Sequence, residues 1–401
     1  MTSVVISGYY GFGNTGDEAM LEATIEGLGR RLPALEVTVV SGRPEAVRAV
    51  HGVGAIAQLD VRGLTRALRR ADLFLSGGGT LLQDATSWRN LVYHLGLFAL
   101  ARQHGAPSMI FAQGVGPVTS RIGRAMMPWS LRGLAAVTVR DEASALALVG
   151  LGVKTPAAEV TADPAFALTP CPAARAETVL RAAGAAASGG GPPGLRPFVA
   201  LAPRGLWNRD YEADLLAAIG DWVAGELGAL PLLVPMQYPD DLTACDMILA
   251  RMHEPAAVLR ERLTPRETMG VLGQAELVIG VRLHALIFGV AAGAAVAGVE
   301  YDPKVAHFLA RLGHQPVATI TGPSVAWVGP GISGAGPASE HEALLRRLRA
   351  TWADRDEQRS RLAEVAARQR RLAERNFDVA AEVVQKTARR SCRAGETRGQ
   401  P

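Results

Sequence analysis

Val4, Val5 and Ile6 form a short apolar run that ends at Gly8, and a glycine-rich turn leads from it into residues 19–32, where apolar side chains recur at helical spacing. The alternation repeats. Residues 37–40, 73–75, 109–111 and 136–139 read as buried strands, separated by helical stretches such as 91–102 and 142–148. Continuous apolar runs alternating with helices predict a parallel sheet covered on both faces, with ligands beyond the carboxyl ends of its strands. The composition then shifts, reaching Ala-Ala-Ser-Gly-Gly-Gly-Pro-Pro at 186–193, which reads as surface linker. A second α/β series follows, with strands expected at 198–201, 230–234, 277–281 and 294–299.

Thr264-Pro265-Arg266-Glu267 has a capping threonine, a proline at the first helical position and a glutamate three residues after the cap, so a helix is expected to begin there. Residues 339–342 repeat the capping box, and from there to about 386 the chain reads as one or two long charged helices. The expected organisation is an N-terminal Rossmann-like lobe (1–170), a linker (171–197), a C-terminal Rossmann-like lobe (198–335), C-terminal helices (336–388) and a basic flexible tail (389–401). Two similar α/β lobes facing a cleft are the predicted architecture.

A length of 401 residues with 48% hydrophobic and 20% charged side chains fits two globular domains and excludes a disordered or collagenous chain. The formal charge is +4, and Lys386, Arg389, Arg390, Arg393 and Arg398 against Glu396 account for all of it. Basicity confined to the tail gives no case for nucleic acid, while contact with an anionic membrane surface remains open. Cys171, Cys245 and Cys392 lie far apart without metal-ligand spacing, so neither a zinc site nor a disulfide framework is expected. No signal segment is expected at the N-terminus and no bilayer-spanning run within the chain. A cytoplasmic location is expected.

Gly11, Gly13 and Gly16 satisfy a G-x-G-x-x-G template after a strand. Asp17 and Glu18 place two carboxylates where a pyrophosphate would sit, which argues against a dinucleotide. Those acids either cap the helix or serve chemistry. Ser76-Gly77-Gly78-Gly79-Thr80 follows another strand, and Gly78 and Gly79 are expected to leave backbone N–H groups open to an anion. Arg140 and Arg204 come just past buried strands, unlike arginines on helix exteriors. Arg282 and His284 arrive together at a strand end before an apolar segment, so both must find partners or face a cavity. Only three lysines occur, at 154, 304 and 386, among 42 basic residues. Lys304, after the next strand, is a compact charge suited to a phosphate oxygen.

Six ordered segments complete the pattern: Gly13-Asn14-Thr15-Gly16-Asp17-Glu18, residues 77–84 (Gly-Gly-Gly-Thr-Leu-Leu-Gln-Asp), Gln113-Gly114-Val115-Gly116-Pro117, Val139-Arg140-Asp141, Arg282-Leu283-His284 and Tyr301-Asp302-Pro303-Lys304. Together they resemble the polysaccharide pyruvyltransferases, in particular the bacterial cell-wall branch called CsaB, from the first strand to about residue 310. The resemblance implies a fold similar to the GT-B glycosyltransferases. It implies transfer of pyruvate from phosphoenolpyruvate, as a cyclic ketal, onto N-acetylmannosamine in a lipid-linked precursor of a secondary cell-wall polymer. It places phosphoenolpyruvate against Arg140, Arg282, Leu283, His284 and Lys304; Arg204, read from its place just past a strand, could supply a further cation.

Ketal formation turns a methylene into a methyl, which requires an acid, and His284 is the candidate. Asp17, or alternatively Glu18, would take a proton from the attacking hydroxyl. Gly78, Gly79, Asn14 and Glu18 are the remaining candidate substrate contacts. No cofactor and no metal are expected, and the lipid-linked acceptor implies a peripheral visit to the inner face of the cytoplasmic membrane. The alternative function is a GT-B glycosyltransferase with a nucleotide-sugar donor.

Overall fold

A computed structural model describes residues 1–85, 87–186, 194–205, 209–320 and 337–396. The chain divides into two compact units. Met1–Phe12, Asp17–Leu168 and the chain from Gln369 on form the first, and Gly13–Gly16 with Thr169–Arg368 form the second.

In the first unit, β1 (Thr2–Ser7), α1 (Thr15–Gly29), β2 (Leu35–Ser41), α2 (Pro44–His51), β3 (Gly54–Ala57), α3 (Val61–Leu68) and β4 (Leu73–Gly77) come first. There follow α4 (Trp88–Gln103), β5 (Ser108–Gln113), α5 (Arg121–Ser130), β6 (Ala136–Val139), α6 (Glu142–Gly150) and β7 (Glu159–Val160). Among the described residues the strands pair in parallel in the order β3-β2-β1-β4-β5-β6-β7. The sheet centre is covered on both faces, so every residue of β4 and β5 is buried.

The second unit opens with α7 (Ala173–Ala182) and repeats the plan: β8 (Phe198–Ala202), α8 (Arg209–Gly225), β9 (Leu230–Leu233), α9 (Asp240–Leu249), β10 (Ala257–Val258), α10 (Pro265–Gly273) and β11 (Leu277–Gly280). It continues through α11 (Leu283–Ala291), β12 (Val296–Glu300), α12 (Pro303–Arg311), β13 (Ala318–Thr319) and α13 (Pro337–Ala353). Its parallel order is β10-β9-β8-β11-β12-β13. In both sheets the order reverses beside the unit's first strand: β1 pairs with β2 and β4, and β8 pairs with β9 and β11. That reversal opens a crevice beyond the strands' carboxyl ends.

Two boundaries differ from the sequence expectation. Residues 173–182, expected as linker, form α7 because an alanine-rich stretch of high helix propensity buries Ala176, Val179 and Leu180. Residues 187–193 lie outside the described part. Residues 389–396, expected as flexible tail, continue α14 (Arg355–Glu396), and 397–401 lie outside. The helix start expected at Ser339 falls at Pro337, with the Ser339 side chain outside the described part. The capping box at Thr264 and Glu267 is present, each side chain accepting the other's backbone N–H.

Two buried amides fasten α14. Gln358 accepts the Val296 N–H at 2.7 Å and donates to the Val296 carbonyl at 3.0 Å, standing in for a strand neighbour. Asn376 donates to the Ala162 carbonyl at 2.9 Å and accepts the Thr161 hydroxyl at 2.7 Å.

His94 sits on the buried face of α4, and burial pushes its imidazole down to about 4. The folded chain therefore holds it neutral while the unfolded chain binds a proton below about 6.5, so its contribution is present above that pH and is lost as pH falls through about 4. Chemical denaturation of wild type and His94→Leu from pH 7 to 4 should show the wild type losing more stability; parallel curves would contradict this.

Candidate functional site

The loop after β1 is bound by backbone pairing within the second unit. The Thr15 N–H donates to the Met236 carbonyl at 2.7 Å, the Tyr238 N–H donates to Gly13 at 3.0 Å, and Asn14 bridges Gln237. This use of the loop differs from a dinucleotide turn, whose N–H groups face a phosphate. Asn14 also accepts the Gly16 N–H at 3.1 Å, closing an Asx turn. Gly13 takes φ +77°, and a Cβ there would lie 2.4 Å from the Tyr238 carbonyl oxygen. Gly16 has a different reason. A Cβ there would fall 2.1 Å from His284 Nδ1, so the glycine makes room for the imidazole.

His284 lies in the first turn of α11, whose N-cap is Arg282, and Leu283 is buried in that turn. Arg282 meets Asp241 in a fork: Nη2 donates to Oδ1 at 2.5 Å and Nε to Oδ2 at 3.1 Å. Its Nη1 reaches Gln237 Oε1 at 3.2 Å and its Nη2 the Arg204 carbonyl at 3.4 Å. Of the two outcomes expected for Arg282, a partner or a cavity, the structure shows a partner, the buried Asp241 carboxylate. Burial pushes the Asp241 carboxyl up, while Arg282 and the Met236 and Gln237 N–H groups pull it back.

Arg204 follows β8, its N–H donating to the buried Glu212 at 2.5 Å and its guanidinium lying 4.2 Å from the centre of the Tyr301 ring. Lys304, in the first turn of α12, brings Nζ to 5.3 Å from the same ring. Two cations thus share one aromatic platform. Asp302 caps α12 and lies 3.2 Å from Lys304 Nζ. Burial raises its carboxyl, but Lys304 and Arg204 hold it below the ordinary carboxylate range. Contacts therefore run from His284 through the 13–16 loop, Gln237, Arg282 and Arg204 to Tyr301 and Lys304.

The first unit places Arg140, Asp17, Glu18, Gly78 and Gly79. Arg140 is 6% exposed; Nη2 donates to Thr80 Oγ1 at 2.9 Å, and Asp163 and Asp141 lie at 3.5 and 3.7 Å. Gly114 clears its path, since a Cβ there would stand 2.7 Å from Nη2. The open N–H cradle expected at Gly78 and Gly79 is corrected. The Gly78 N–H donates to the Phe111 carbonyl at 3.3 Å, and that of Gly79 meets Met20 Sδ at 3.3 Å. These glycines instead allow close packing, with Tyr10 Oη 3.0 Å from a Gly78 Cβ and Asp17 Oδ1 3.0 Å from a Gly79 Cβ. Asp17 is buried, and Glu18 accepts the Gly11 N–H at 2.7 Å, fastening the loop.

Sequence reasoning missed Tyr10, Asp163, Gln237, Asp241 and the platform role of Tyr301. Tyr10 is 1% exposed; burial first, then Asp17, Glu18 and Asp163, push its phenol upward, so it stays protonated. Asp241 carries one legible signal, an acid in the first turn of a helix just past a strand.

The sequence profile of a family described as Polysaccharide pyruvyl transferase matches residues 14–303. No curated protein matches the chain. Among solved structures, it resembles Staphylococcus aureus MnaA with UDP (TM-score 0.58, 9% identity, 94% of each chain covered). It also resembles Anabaena HepE with UDP-glucose (TM-score 0.56, 13% identity, 98% of this chain and 100% of that one). A third likeness is the UDP-GlcNAc 2-epimerase of Neisseria meningitidis bound to UDP-GlcNAc (TM-score 0.55, 10% identity, 96% and 100%). These likenesses show the fold, two parallel sheets with flanking helices as in GT-B-like proteins.

Gly16→Ala should displace the His284 ring and lower stability by about 1–3 kcal/mol, since the new methyl has no room. In an NMR spectrum the His284 imidazole resonances should move while those of the exposed His253 stay. Unmoved His284 resonances would contradict the packing.

Proposed function

Because the chain belongs to the polysaccharide pyruvyl transferase family, we propose that it moves pyruvate from phosphoenolpyruvate onto a sugar of a lipid-linked cell-wall polysaccharide precursor. The product is a cyclic ketal, and phosphate is released. The protein is a transferase of polysaccharide biosynthesis. N-acetylmannosamine is the proposed acceptor sugar, and the inner face of the cytoplasmic membrane the proposed place of work.

The observation that carries this reading is the pair Arg204 and Lys304 on the Tyr301 ring. Asp302, 3.2 Å from Lys304 Nζ, offsets one of the two charges; one positive charge in excess is left for an anion, and phosphoenolpyruvate brings a phosphate and a carboxylate. Arg140, within the first unit, is a further proposed substrate contact. Arg282, answered by Asp241, holds Gln237 and the start of α11 in place for His284.

The reaction needs a proton delivered to the donor's methylene carbon, which becomes the methyl group. Carbon 2 then carries oxocarbenium character, and two sugar hydroxyls bond to it in turn as its bond to the phosphate oxygen breaks. One hydroxyl proton balances the proton gained by the methyl, and the other leaves with phosphate. His284 is assigned as the acid, and Asp17 as the base that receives the proton of an attacking hydroxyl. Glu18 holds Gly11 and Asn14 closes the loop, while Gly78 and Gly79 bring backbone close to Tyr10 and Asp17.

The test is incubation with phosphoenolpyruvate and a panel of N-acetylhexosamine disaccharides on lipid-like carriers, read by mass for a ketal and by phosphate released. Acceptor-dependent phosphate release is expected; transfer from a nucleotide sugar instead would overturn the reading. Lys304→Ala should raise the phosphoenolpyruvate requirement by about 2–4 kcal/mol of lost charge-assisted contact. His284→Gln should lower turnover about 10²–10⁴-fold with little change in that requirement. Wild-type kinetics in both would refute these assignments.

A further inference from the structure

No acidic residue occurs from Ala85 to Arg140, although the chain holds 38. That window carries Arg89, Arg102, Arg121, Arg124, Arg132 and Arg140, and only Arg140 is buried. It contains α4 and α5, which pack on each other: a Cβ on Gly123 would touch Leu91, and Arg102 donates to the carbonyls of Trp129 and Ser130 at 3.1 and 2.9 Å. Gly123, Met127 and Ser130 form the inward face of α5. At 100° per residue its outward arc runs from Arg124, Pro128 and Arg121 to Ala125, Trp129 and Ile122.

The outward arc is amphipathic in an unusual sense, since its apolar half faces solvent. Ile122 is 61% exposed and Trp129 54%, and Trp88 at the start of α4 is 54% exposed. Arg102 lies 4.9 Å from the Trp129 ring centre and Arg89 5.8 Å from that of Trp88. At the C-terminal end of both helices a cavity of about 210 Å³ is lined by Arg102, Arg132, Gly133 and Ser130. Among the described residues no helix is long and apolar enough to cross a membrane.

We propose that the outer face of α4 and α5 docks on an anionic lipid bilayer, with Trp129, Ile122 and Trp88 at the interface, Arg89, Arg121 and Arg124 against headgroup phosphates, and the cavity between Arg102 and Arg132 receiving one headgroup. The charge decides the occupant. The one carboxylate at the start of α5, Asp84, is taken up by the Thr119 and Ser120 N–H groups, so the arginines are in excess and complement a phosphate-bearing surface, and tryptophan beside arginine is the pairing that favours the headgroup layer. A soluble partner or second copy would have to answer several arginines with acids, and for a two-fold mate this surface provides only Asp84, already bound to Thr119 and Ser120. The inference rests on this surface alone and is independent of the pyruvyl-transfer reading, which its failure would leave standing.

The experiment is co-sedimentation of the full chain with vesicles of phosphatidylcholine alone or mixed with phosphatidylglycerol. The wild type should bind the mixed vesicles and not the neutral ones, and added salt should weaken binding. Arg121→Gln with Arg124→Gln should weaken it about 30-fold, and Ile122→Ser with Trp129→Ser at least about tenfold. These residues are exposed, so melting temperatures should stay near wild type. Arg346→Gln with Arg368→Gln, two exposed arginines of the C-terminal helices, should bind as wild type. The proposal is overturned if the wild type ignores anionic vesicles, if the α5 variants bind unchanged, or if the control pair loses as much. It is also overturned if ultracentrifugation finds a dimer that Ile122→Ser with Trp129→Ser dissolves.

Discussion

The fork between Arg282 and Asp241 is the constraint on which the second unit's strand ends depend. Asp241 is 1% exposed, and its two oxygens are taken up by the guanidinium and by the N–H groups of Met236 and Gln237. A buried pair of this kind adds little net stability over an apolar packing, since desolvation offsets attraction, but breaking it by removing one partner costs about 3–5 kcal/mol. Its value is geometric. By holding residues 236 and 237, it fixes the backbone on which the 13–16 loop pairs, and that loop supplies the space at Gly16 that His284 occupies.

The second sheet repeats the order of the first six strands of the first sheet, which adds β7 at its edge, yet the chemistry gathered at the strand ends differs. The first unit surrounds one arginine with Asp141 and Asp163 and keeps Asp17 and a protonated Tyr10 nearby. The second answers Arg282 with Asp241 and still presents Arg204 and Lys304 against a single acid, Asp302. Repetition of the backbone plan leaves room for this division because only the residues just past each strand must change.

The central strands were legible because a parallel sheet buried on both faces is written as unbroken apolar runs, as in 73–75 and 109–111. Edge strands such as β3 were not, since its pattern of one buried residue among four carries no such run. Arg140, Arg204, Arg282, His284 and Lys304 stood out because a charged residue directly after a buried strand has a fixed place. What it meets there is set by distant chain: Asp241 lies 41 positions before Arg282, and Thr80 lies 60 before Arg140. The glycines misled for a related reason. An open anion cradle and a close approach by Tyr10, Asp17 or His284 call for the same residue, and spacing does not tell them apart.

The Tyr301 ring, with Arg204 and Lys304 on it, is proposed as one receptor for phosphoenolpyruvate. The deciding measurement is calorimetric titration of phosphoenolpyruvate into wild type, Tyr301→Phe and Tyr301→Leu. The phenylalanine variant, which keeps the ring face, should bind with wild-type affinity, and the leucine variant, which loses two cation–π contacts, about tenfold more weakly. Equal affinity in all three, or no binding by the wild type, would contradict it.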